Sequence, residues 1–335
     1  MSFTAREVRV ARLPRGAVRA DDFTIVEAPL PDLAEGEVAV RNSWFSLDPY
    51  MRLPLTPRAG LHGAVGVGSV LDGAAVGTVI ASRATSLPEG TVVLSQKGWR
   101  DGFTARAETL QPLDPDLGPP QWRLGVLGLT GITAWVGVEV TLQPAPGETI
   151  FISGGAGAVG LVACQLARRR GARVLASAGS DEKVAWLERE IGVDRAVNYR
   201  TADMEGFLRE AAPGGLDCYF DNVGGETLSA ALRAMRVQGR VGLCGAIAQY
   251  GDDNYRAGPS DFFAIIEKGL TVTGFNAGLT GPRGGEILPA LSTLLSSGEL
   301  VWREAVVEGL DAAPSAFASL FDGANTGKML VRLAG

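Results

Sequence analysis

The chain has 335 residues, of which 46% are hydrophobic and 20% are charged, and its formal net charge is −6. This composition is typical of a soluble globular protein, and the length leaves room for two domains. The negative charge argues against nucleic acid or an anionic membrane as a partner. No segment approaches the roughly 18 uninterrupted apolar residues of a membrane span, and the first 20 residues lack a signal-peptide core, so we expect a cytoplasmic protein.

The first third of the chain has the pattern of a β-rich region. Short alternating or apolar segments are separated by Gly, Pro and Asp turns, and they lie at residues 37–42, 77–81 and 90–94. One of these strands then runs into an Asp48-Pro49 turn that presents Tyr50. We expect Tyr50 to reach a cleft, whereas Trp44 and Phe45 are interpreted as core aromatics.

A glycine cluster further along the chain predicts a dinucleotide site. The pattern is strand, glycine turn, helix and strand, at residues 149–152, 154–160, 161–170 and 173–178. Gly155, Gly157 and Gly160 match G-x-G-x-x-G, which allows a tight turn, close approach to a pyrophosphate and close helix–strand packing. The pyrophosphate would bind the first N–H groups of a helix beginning near Ala158. The alternative is that the glycines only shape a turn.

The end of the second strand in this unit favours NADPH over NADH. An NAD site usually has an acidic residue at this position, but the strand ends in small residues and Ser180. Asp181 and Glu182 follow where the next helix would begin, and there they suit a helix N-terminus. Lys183 lies beside the hydroxyl-lined strand end, which suits a 2′-phosphate. A solvated helix lysine is the alternative role for Lys183.

Strands and helices alternate from residue 181 to residue 297, which predicts a doubly wound parallel sheet of the Rossmann type. An apolar, glycine-interrupted helix is predicted before it, over residues 124–140. Ligands bind outside the carboxyl ends of the strands in such sheets. The candidate site residues at predicted strand ends are therefore Asn222, Cys244, Gly245, Ala246, Ile247, Ala248, Gln249, Tyr250, Phe275, Asn276 and Ala277.

The C-terminal tail returns to a strand–helix–strand pattern from residue 304 onward. We expect this tail to rejoin the N-terminal region, so that one domain comprises residues 1–121 and 298–335 and the other residues 122–297. Near the end, the turn-rich loop 323–328 contains Asn325. From its residues alone, an ordinary surface turn is an equally good interpretation of this loop.

The cysteines and the histidine do not form a metal-binding pattern. Cys164, Cys218 and Cys244 are widely spaced, and His62 is the only histidine. A zinc site usually needs clustered ligands, so we predict no metal site. We expect Cys164 and Cys218 to be core residues. A hydrolase would have to use His62, which lies in a glycine-rich run without a recognisable nucleophile motif.

Several motifs together resemble those of a known family over nearly the whole chain. The matching stretches are VRNSWFSLDPYMR at 40–52, LGLTGITAW at 127–135, GAGAVG and GSDEK between 155 and 183, YFDNVGGE at 219–226, LCGAIAQY at 243–250 and the GxNxGK loop around Asn325. They are similar to those of medium-chain dehydrogenases/reductases of the zinc-independent branch. That branch contains prostaglandin/leukotriene reductases, plant alkenal double-bond reductases and bacterial curcumin reductases.

The resemblance implies a fold, an activity and a set of cofactor-binding residues. It implies a GroES-like, partly open barrel as the catalytic domain, and a cytosolic homodimer that reduces the C=C bond of α,β-unsaturated ketones and aldehydes with NADPH. The residues Gly157, Ala158, Val159 and Gly160 would contact the pyrophosphate, and Lys183 and Tyr199, beside Ser180, would bind the 2′-phosphate. Thr130 would lie near the nicotinamide. The ribose and nicotinamide would be lined by Asn222, Cys244–Tyr250, Phe275–Ala277 and Asn325.

In this chemistry a hydride reaches the β-carbon of an enone, and a donor must stabilise the charge that develops on the carbonyl oxygen. Tyr250 is the first candidate donor and Tyr50 the second. A phenol has a pKa of about 10, so it donates a hydrogen bond more readily than it transfers its proton at neutral pH. Tyr250 could instead only pack against the cofactor. Two rival functions are a quinone reductase and a non-catalytic NADPH-binding protein.

Overall fold

The computed structural model describes residues 4–56, 63–250, 262–277 and 284–334. The chain divides into two compact units. We call residues Met1–Gly125 with Glu304–Gly335 the β-rich unit and residues Val126–Arg303 the parallel-sheet unit. The predicted α/β class, with a parallel sheet and a separate β-rich part, is confirmed. In the part of the chain that the structure describes, no helix has both the length and the apolar character needed to cross a membrane.

The β-rich unit is built on a seven-stranded sheet that the C-terminal segment joins. The strands of this unit, numbered through the whole chain, are β1 Thr4–Val10, β2 Phe23–Pro29, β3 Glu37–Ser46, β4 Ala75–Ser82, β5 Val92–Ser95, β6 Gly102–Arg106, β7 Gln111–Pro112, β14 Glu304–Glu308 and β15 Lys328–Arg332. The sheet order is β14-β15-β3-β4-β5-β7, and β6 also pairs with β3. Strands β1 and β2 form a separate antiparallel pair. Helix α8 spans Ala313–Phe321.

An aromatic cluster centred on Trp99 forms the core of this unit. The Trp99 ring stacks on Phe23 with centroids 5.4 Å apart, and it meets the edge of Phe317 from α8 at 5.3 Å. Trp99 Nε1 donates to the Met51 sulfur at 3.4 Å. Met51 belongs to the 3-10 helix Pro49–Leu55, which follows β3. The core therefore fixes the turn that carries Tyr50.

The parallel-sheet unit has six parallel strands with helices between them. The strands are β8 Thr149–Ile152, β9 Arg173–Ala178, β10 Arg195–Asn198, β11 Leu216–Asp221, β12 Met235–Leu243 and β13 Thr271–Gly274. The helices are α1 Leu129–Trp135, α2 Ala158–Arg169, α3 Asp181–Trp186, α4 Met204–Ala211, α5 Gly225–Ala234, α6 Phe262–Glu267 and α7 Gly284–Ser296. Every residue of β11 is buried, as expected for a central strand with helices on both faces.

The strand order creates a topological switch point between β8 and β11. The order is β10-β9-β8-β11-β12-β13, so the chain proceeds to one side from β8 and to the other from β11. Ligands of open parallel sheets bind at such a topological switch point. The register pairs Ile152 with Phe220, which brings Ser153 and Asp221 together where the two strands end.

The predicted helix over residues 124–140 begins later than expected. A 3-10 helix ends at Leu124, α1 starts only at Leu129, and a π-helical segment continues from Val136 to Leu142. At Gly131 a Cβ would lie 1.8 Å from the Val126 carbonyl oxygen. Because Gly131 has no side chain, the chain before α1 can fold back against this helix. A continuous helix over residues 124–140 could not make this contact.

Candidate active site

The glycine turn has the geometry that close approach to a pyrophosphate requires. Gly154, one residue before the motif, has a φ of +64° and makes the turn out of β8. Gly157 is the N-cap of α2. A Cβ at Gly160 would lie 2.2 Å from the Gly154 carbonyl oxygen, and one at Gly155 would lie 2.9 Å from the Ala176 side chain. The glycines thus permit close packing and leave the first N–H groups of α2 open to an anion.

A buried hydroxyl near the start of α1 fits the presence of a ligand. Thr130 is 6% exposed. Its Oγ1 is buried and has no hydrogen-bond partner among the residues that the structure describes. A buried polar atom without a partner costs free energy, and a bound polar group would remove that cost. The Thr130 hydroxyl is therefore able to bond a polar ligand group, and its place beside the nicotinamide stays a prediction.

The tip of β9 brings together the residues predicted to bind a 2′-phosphate. A Cβ at Gly179 would lie 3.0 Å from the Tyr199 hydroxyl, so this phenol lies directly over the strand end. Ser180 is the N-cap of α3, and its hydroxyl accepts a hydrogen bond from the Lys183 N–H at 3.3 Å. Burial, and then the like charge of Arg200, lowers the pKa of the Lys183 ammonium. A second cation therefore stands near Lys183.

Arg200 is a candidate that sequence reasoning missed. Its guanidinium lies 5.9 Å from the centroid of the Tyr199 ring. The signal was present, because Arg200 directly follows Tyr199 in the sequence. Two cations and a phenol around one strand tip form a surface suited to a phosphate dianion.

Asn222 lies at the switch point, but its amide is engaged with the protein. Its Nδ2 donates to the Ser153 carbonyl oxygen at 2.7 Å, and its backbone N–H donates to Ser153 Oγ at 2.9 Å. Ser153, Tyr219 and Asp221 form a buried hydrogen-bonded group beside it. Sequence reasoning missed these three residues, although Asp221 directly precedes Asn222 in the YFDN stretch.

The loop after β12 returns to the switch point. The N–H groups of Cys244 and Gly245 donate to the Asp221 carbonyl oxygen at 2.8 and 3.0 Å. Burial, and then the charge of Asp221, raises the pKa of the Cys244 thiol to about 12. Tyr250 folds back over the loop, and its hydroxyl accepts the Ala246 N–H at 3.3 Å. The candidates Ile247, Ala248 and Gln249 form the single 3-10 turn between them.

Phe275 is half-buried and packs against a core aromatic ring. Its ring meets the edge of Phe220 with centroids 5.4 Å apart, and a Cβ at Gly137 would lie 2.6 Å from the Phe275 ring. Its N–H donates to the Leu243 carbonyl oxygen at 3.2 Å, which extends the pairing of β13 with β12. The neighbouring candidates Asn276 and Ala277 follow at the carboxyl end of β13, and Asn276 is exposed.

In the β-rich unit, a buried ion pair ties the turn before Tyr50 to the loop that carries Asn325. Lys328 Nζ donates to Asp48 Oδ1 and to the Leu47 carbonyl oxygen, both at 2.8 Å. The amide of Asn325 donates to the Gly327 carbonyl oxygen at 2.7 Å. Burial, followed by the charges of Asp48 and Asp72, raises the pKa of Tyr50. The Tyr50 phenol is therefore protonated at neutral pH and able to donate a hydrogen bond.

No group of three or more His, Cys, Asp or Glu side chains that could hold a metal ion occurs within the described ranges. Cys164 and Cys218 are fully buried in α2 and β11, as predicted for core residues. His62, the one histidine considered for hydrolytic chemistry, lies outside the described residues.

Comparison with known proteins identifies the family. A family model for the N-terminal domain of oxidoreductase matches residues 6–113, and one for zinc-binding dehydrogenase matches residues 158–294. The chain is 38% identical to prostaglandin reductase 1 of Bos taurus, with 93% of this chain and 94% of that protein covered. This chain is a medium-chain dehydrogenase/reductase. The predicted family is confirmed.

This medium-chain reductase has further relatives that match over almost their whole length. It is 30% identical to the NADPH-dependent curcumin reductase of Escherichia coli strain K12, with 97% of this chain and 96% of that protein covered. The crystal structure of CurA in complex with NADPH from Vibrio vulnificus superposes with a TM-score of 0.92 at 32% identity, covering 98% of this chain and 99% of that one. The match therefore spans both units of the reductase.

Proposed function

We propose that this chain reduces the C=C bond of α,β-unsaturated ketones and aldehydes with NADPH. The observation that carries the proposal is the full-length match to an NADPH-dependent curcumin reductase. It is supported by a glycine turn and a strand tip suited to a dinucleotide with a 2′-phosphate. The β-rich unit is the GroES-like catalytic domain, and the parallel-sheet unit is the Rossmann-type NADPH-binding domain.

The residues of the parallel-sheet unit hold the two phosphate regions of the cofactor. The N–H groups of Ala158 to Gly160 bind the pyrophosphate at the start of α2, and Gly157, whose own N–H donates to the Gly154 carbonyl oxygen, lets it approach the backbone. Lys183 and Tyr199 bind the 2′-phosphate beside Ser180, and we add Arg200 to this set. The remaining proposed contacts of this unit, to the ribose and nicotinamide, come from Thr130, Asn222, Cys244–Tyr250 and Phe275–Ala277.

The chain contributes to the chemical step by stabilising charge on the substrate carbonyl oxygen. NADPH supplies the hydride that the β-carbon receives. A hydrogen-bond donor aimed at the carbonyl oxygen lowers the barrier, because negative charge develops there. Tyr250 is the first candidate for this role, because it lies in the loop after β12 that returns to the switch point, where its hydroxyl accepts the Ala246 N–H. Tyr50 is the second donor, because its raised pKa keeps the phenol protonated.

We propose that carbonyl activation does not use zinc and that the protein acts in the cytoplasm. Two of the three cysteines are core residues of α2 and β11, so they do not face a substrate. Metal analysis of the purified active protein tests the first proposal, and stoichiometric zinc would contradict it. The location of a fluorescent-protein fusion tests the second.

We propose that the protein forms a homodimer through the open edge of the parallel sheet. Among the residues that the structure describes, β13 is the last strand in the sheet order, and all four of its residues are exposed. On the neighbouring α6, Phe262, Phe263 and Ile266 are 62%, 69% and 76% exposed. An exposed sheet edge beside a large apolar patch is an association surface, and a two-fold axis would pair it with its own copy.

Light scattering during size-exclusion chromatography tests the dimer. We expect Ile266→Glu to elute as a monomer, because the new carboxylate would be buried in the interface. Val67→Glu is the matched control, since Val67 is 64% exposed in the β-rich unit. A monomeric wild-type protein, or a dimer that survives Ile266→Glu, would contradict this surface.

The proposed activity is tested by following NADPH oxidation with a simple enone, an alkenal and a quinone in parallel. We expect turnover of the enone and the alkenal, with saturated ketone and aldehyde as products identified by mass spectrometry. Turnover of the quinone alone would replace the proposal with quinone reduction. Tight NADPH binding without turnover of any of the three would indicate a binding protein.

A further inference from the structure

One carboxylate oxygen at the switch point accepts four hydrogen bonds. Asp221 Oδ1 receives the Tyr219 hydroxyl at 2.6 Å and the Ser153 hydroxyl at 3.1 Å. It also receives the backbone N–H groups of Val223 and Gly224, both at 2.9 Å. Asp221 is 1% exposed, so these bonds form away from water. Burial raises the pKa of the Asp221 carboxyl, and these four donors oppose that rise because they favour the ionised form. Hydrogen bonds in such a setting are strong and directional.

The same residue also holds a second loop through its backbone. The Asp221 carbonyl oxygen accepts the N–H groups of Cys244 and Gly245. Ser153, which donates to the carboxylate, in turn accepts the Asn222 N–H. Asp221 therefore ties the end of β8, the loop after β11 and the loop after β12 to one point.

The conformation of the loop after β11 depends on such an anchor. Gly224 and Gly225 both have positive φ angles, +73° and +55°, which glycine adopts readily because it has no side chain. The N–H group of Val223, just before this bend, and that of Gly224, its first residue, both donate to Asp221 Oδ1. Without that acceptor the bend has other accessible conformations, because glycine restricts it little.

We propose that Asp221 is a positioning residue that sets the two loops facing the ribose and nicotinamide of the cofactor. This inference rests on the proposed function, in which Asn222, Cys244 and Gly245 face that half of NADPH. Asp221 itself does not touch the cofactor. It acts through the geometry of the two loops, and the 2′-phosphate end at the tip of β9 does not depend on it.

Binding measurements test the inference without requiring turnover. The probes are NADPH and adenosine 2′,5′-bisphosphate, which carries the 2′-phosphate half of the cofactor alone. For Asp221→Ala we expect the Kd for NADPH to rise about 10- to 100-fold, the range for losing a buried charged acceptor. The Kd for adenosine 2′,5′-bisphosphate should change less than about twofold. A milder variant, Tyr219→Phe, should shift NADPH binding in the same direction by a smaller factor, even if Asp221→Ala folds poorly.

Two further variants distinguish a positioning role of Asp221 from a general loss of protein stability. Asp221→Asn keeps an oxygen acceptor at the same place, so it should restore NADPH binding to within a few-fold of wild type. Gln165→Leu is the matched control in the same unit, because the buried Gln165 bonds both the N–H and the carbonyl oxygen of Val301. It should lower thermal stability and leave both Kd values unchanged.

The inference is overturned if Asp221→Ala weakens NADPH and adenosine 2′,5′-bisphosphate equally, or weakens neither. It is also overturned if Asp221→Asn is as impaired as Asp221→Ala. A wild-type protein that binds NADPH but reduces no enone would refute the proposed activity, whereas these binding ratios would still decide the role of Asp221.

Discussion

Replacing Lys183 with alanine tests the choice of NADPH over NADH. The ammonium stands at the tip of β9 with Ser180 and Arg200 nearby. A 2′-phosphate bound there would accept a charge-assisted hydrogen bond from it. NADH has no such phosphate, so the same substitution removes nothing that NADH uses.

The expected increase in the KM for NADPH follows from the environment of the Lys183 ammonium. A hydrogen bond to a charged group contributes about 1.5–3 kcal/mol, and each 1.4 kcal/mol or so is a factor of ten. Lys183 is partly exposed, so solvent screens the interaction, and Arg200 remains in the variant. We therefore expect the KM for NADPH to rise about 10- to 50-fold, toward the lower end of that range.

Steady-state kinetics with each cofactor at a saturating enone concentration provides the measurement. Arg189→Ala is the matched control, because it removes an exposed cation six residues further along the chain. The control should leave both KM values unchanged. Equal increases in KM for NADPH and NADH in Lys183→Ala would refute the 2′-phosphate assignment. Arg200→Ala should raise the KM for NADPH selectively as well.

Two further substitutions test the hydrogen-bond donor Tyr250 and the buried ion pair of Lys328 with Asp48. Tyr250→Phe should lower kcat for an enone about 10- to 100-fold if the hydroxyl stabilises the carbonyl oxygen; an unchanged kcat would mean that the ring only packs. Lys328→Met should reduce the free energy of unfolding in urea by about 3–5 kcal/mol, because it leaves a buried carboxylate unpaired. The exposed Lys97→Met should change it by less than about 0.5 kcal/mol, and equal losses would contradict the ion-pair account.

Local spacing predicted the glycine turn and the strand end that we assign to the cofactor. The glycine turn and the small residues at the strand end before Lys183 each occupy neighbouring positions in the sequence. Their roles depend on the local backbone, so a short sequence pattern is enough to predict them. The α/β alternation likewise predicted the parallel sheet, since each strand and helix is defined by its own pattern. The start of α1 was missed, because it depends on the contact of Gly131 with the chain before it.

Side-chain networks could not be predicted in the same way. Asp221 meets Ser153 only because β11 pairs with β8, and 68 positions separate the two residues in the chain. Lys328 reaches Asp48 across 280 positions. A sequence pattern shows an acid or a lysine at such places but not its partner, because the partner is set by strand order and register. The tertiary structure is therefore what distinguishes an anchoring carboxylate from an ordinary strand-end residue.

The fate of the hydride tests the central claim most directly. NADPH labelled with deuterium at the transferable position is incubated with the protein and an enone, and the product is analysed by NMR. The account predicts a saturated ketone with deuterium on the β-carbon. Deuterium on the former carbonyl carbon of an allylic alcohol, or an unlabelled product, would contradict it.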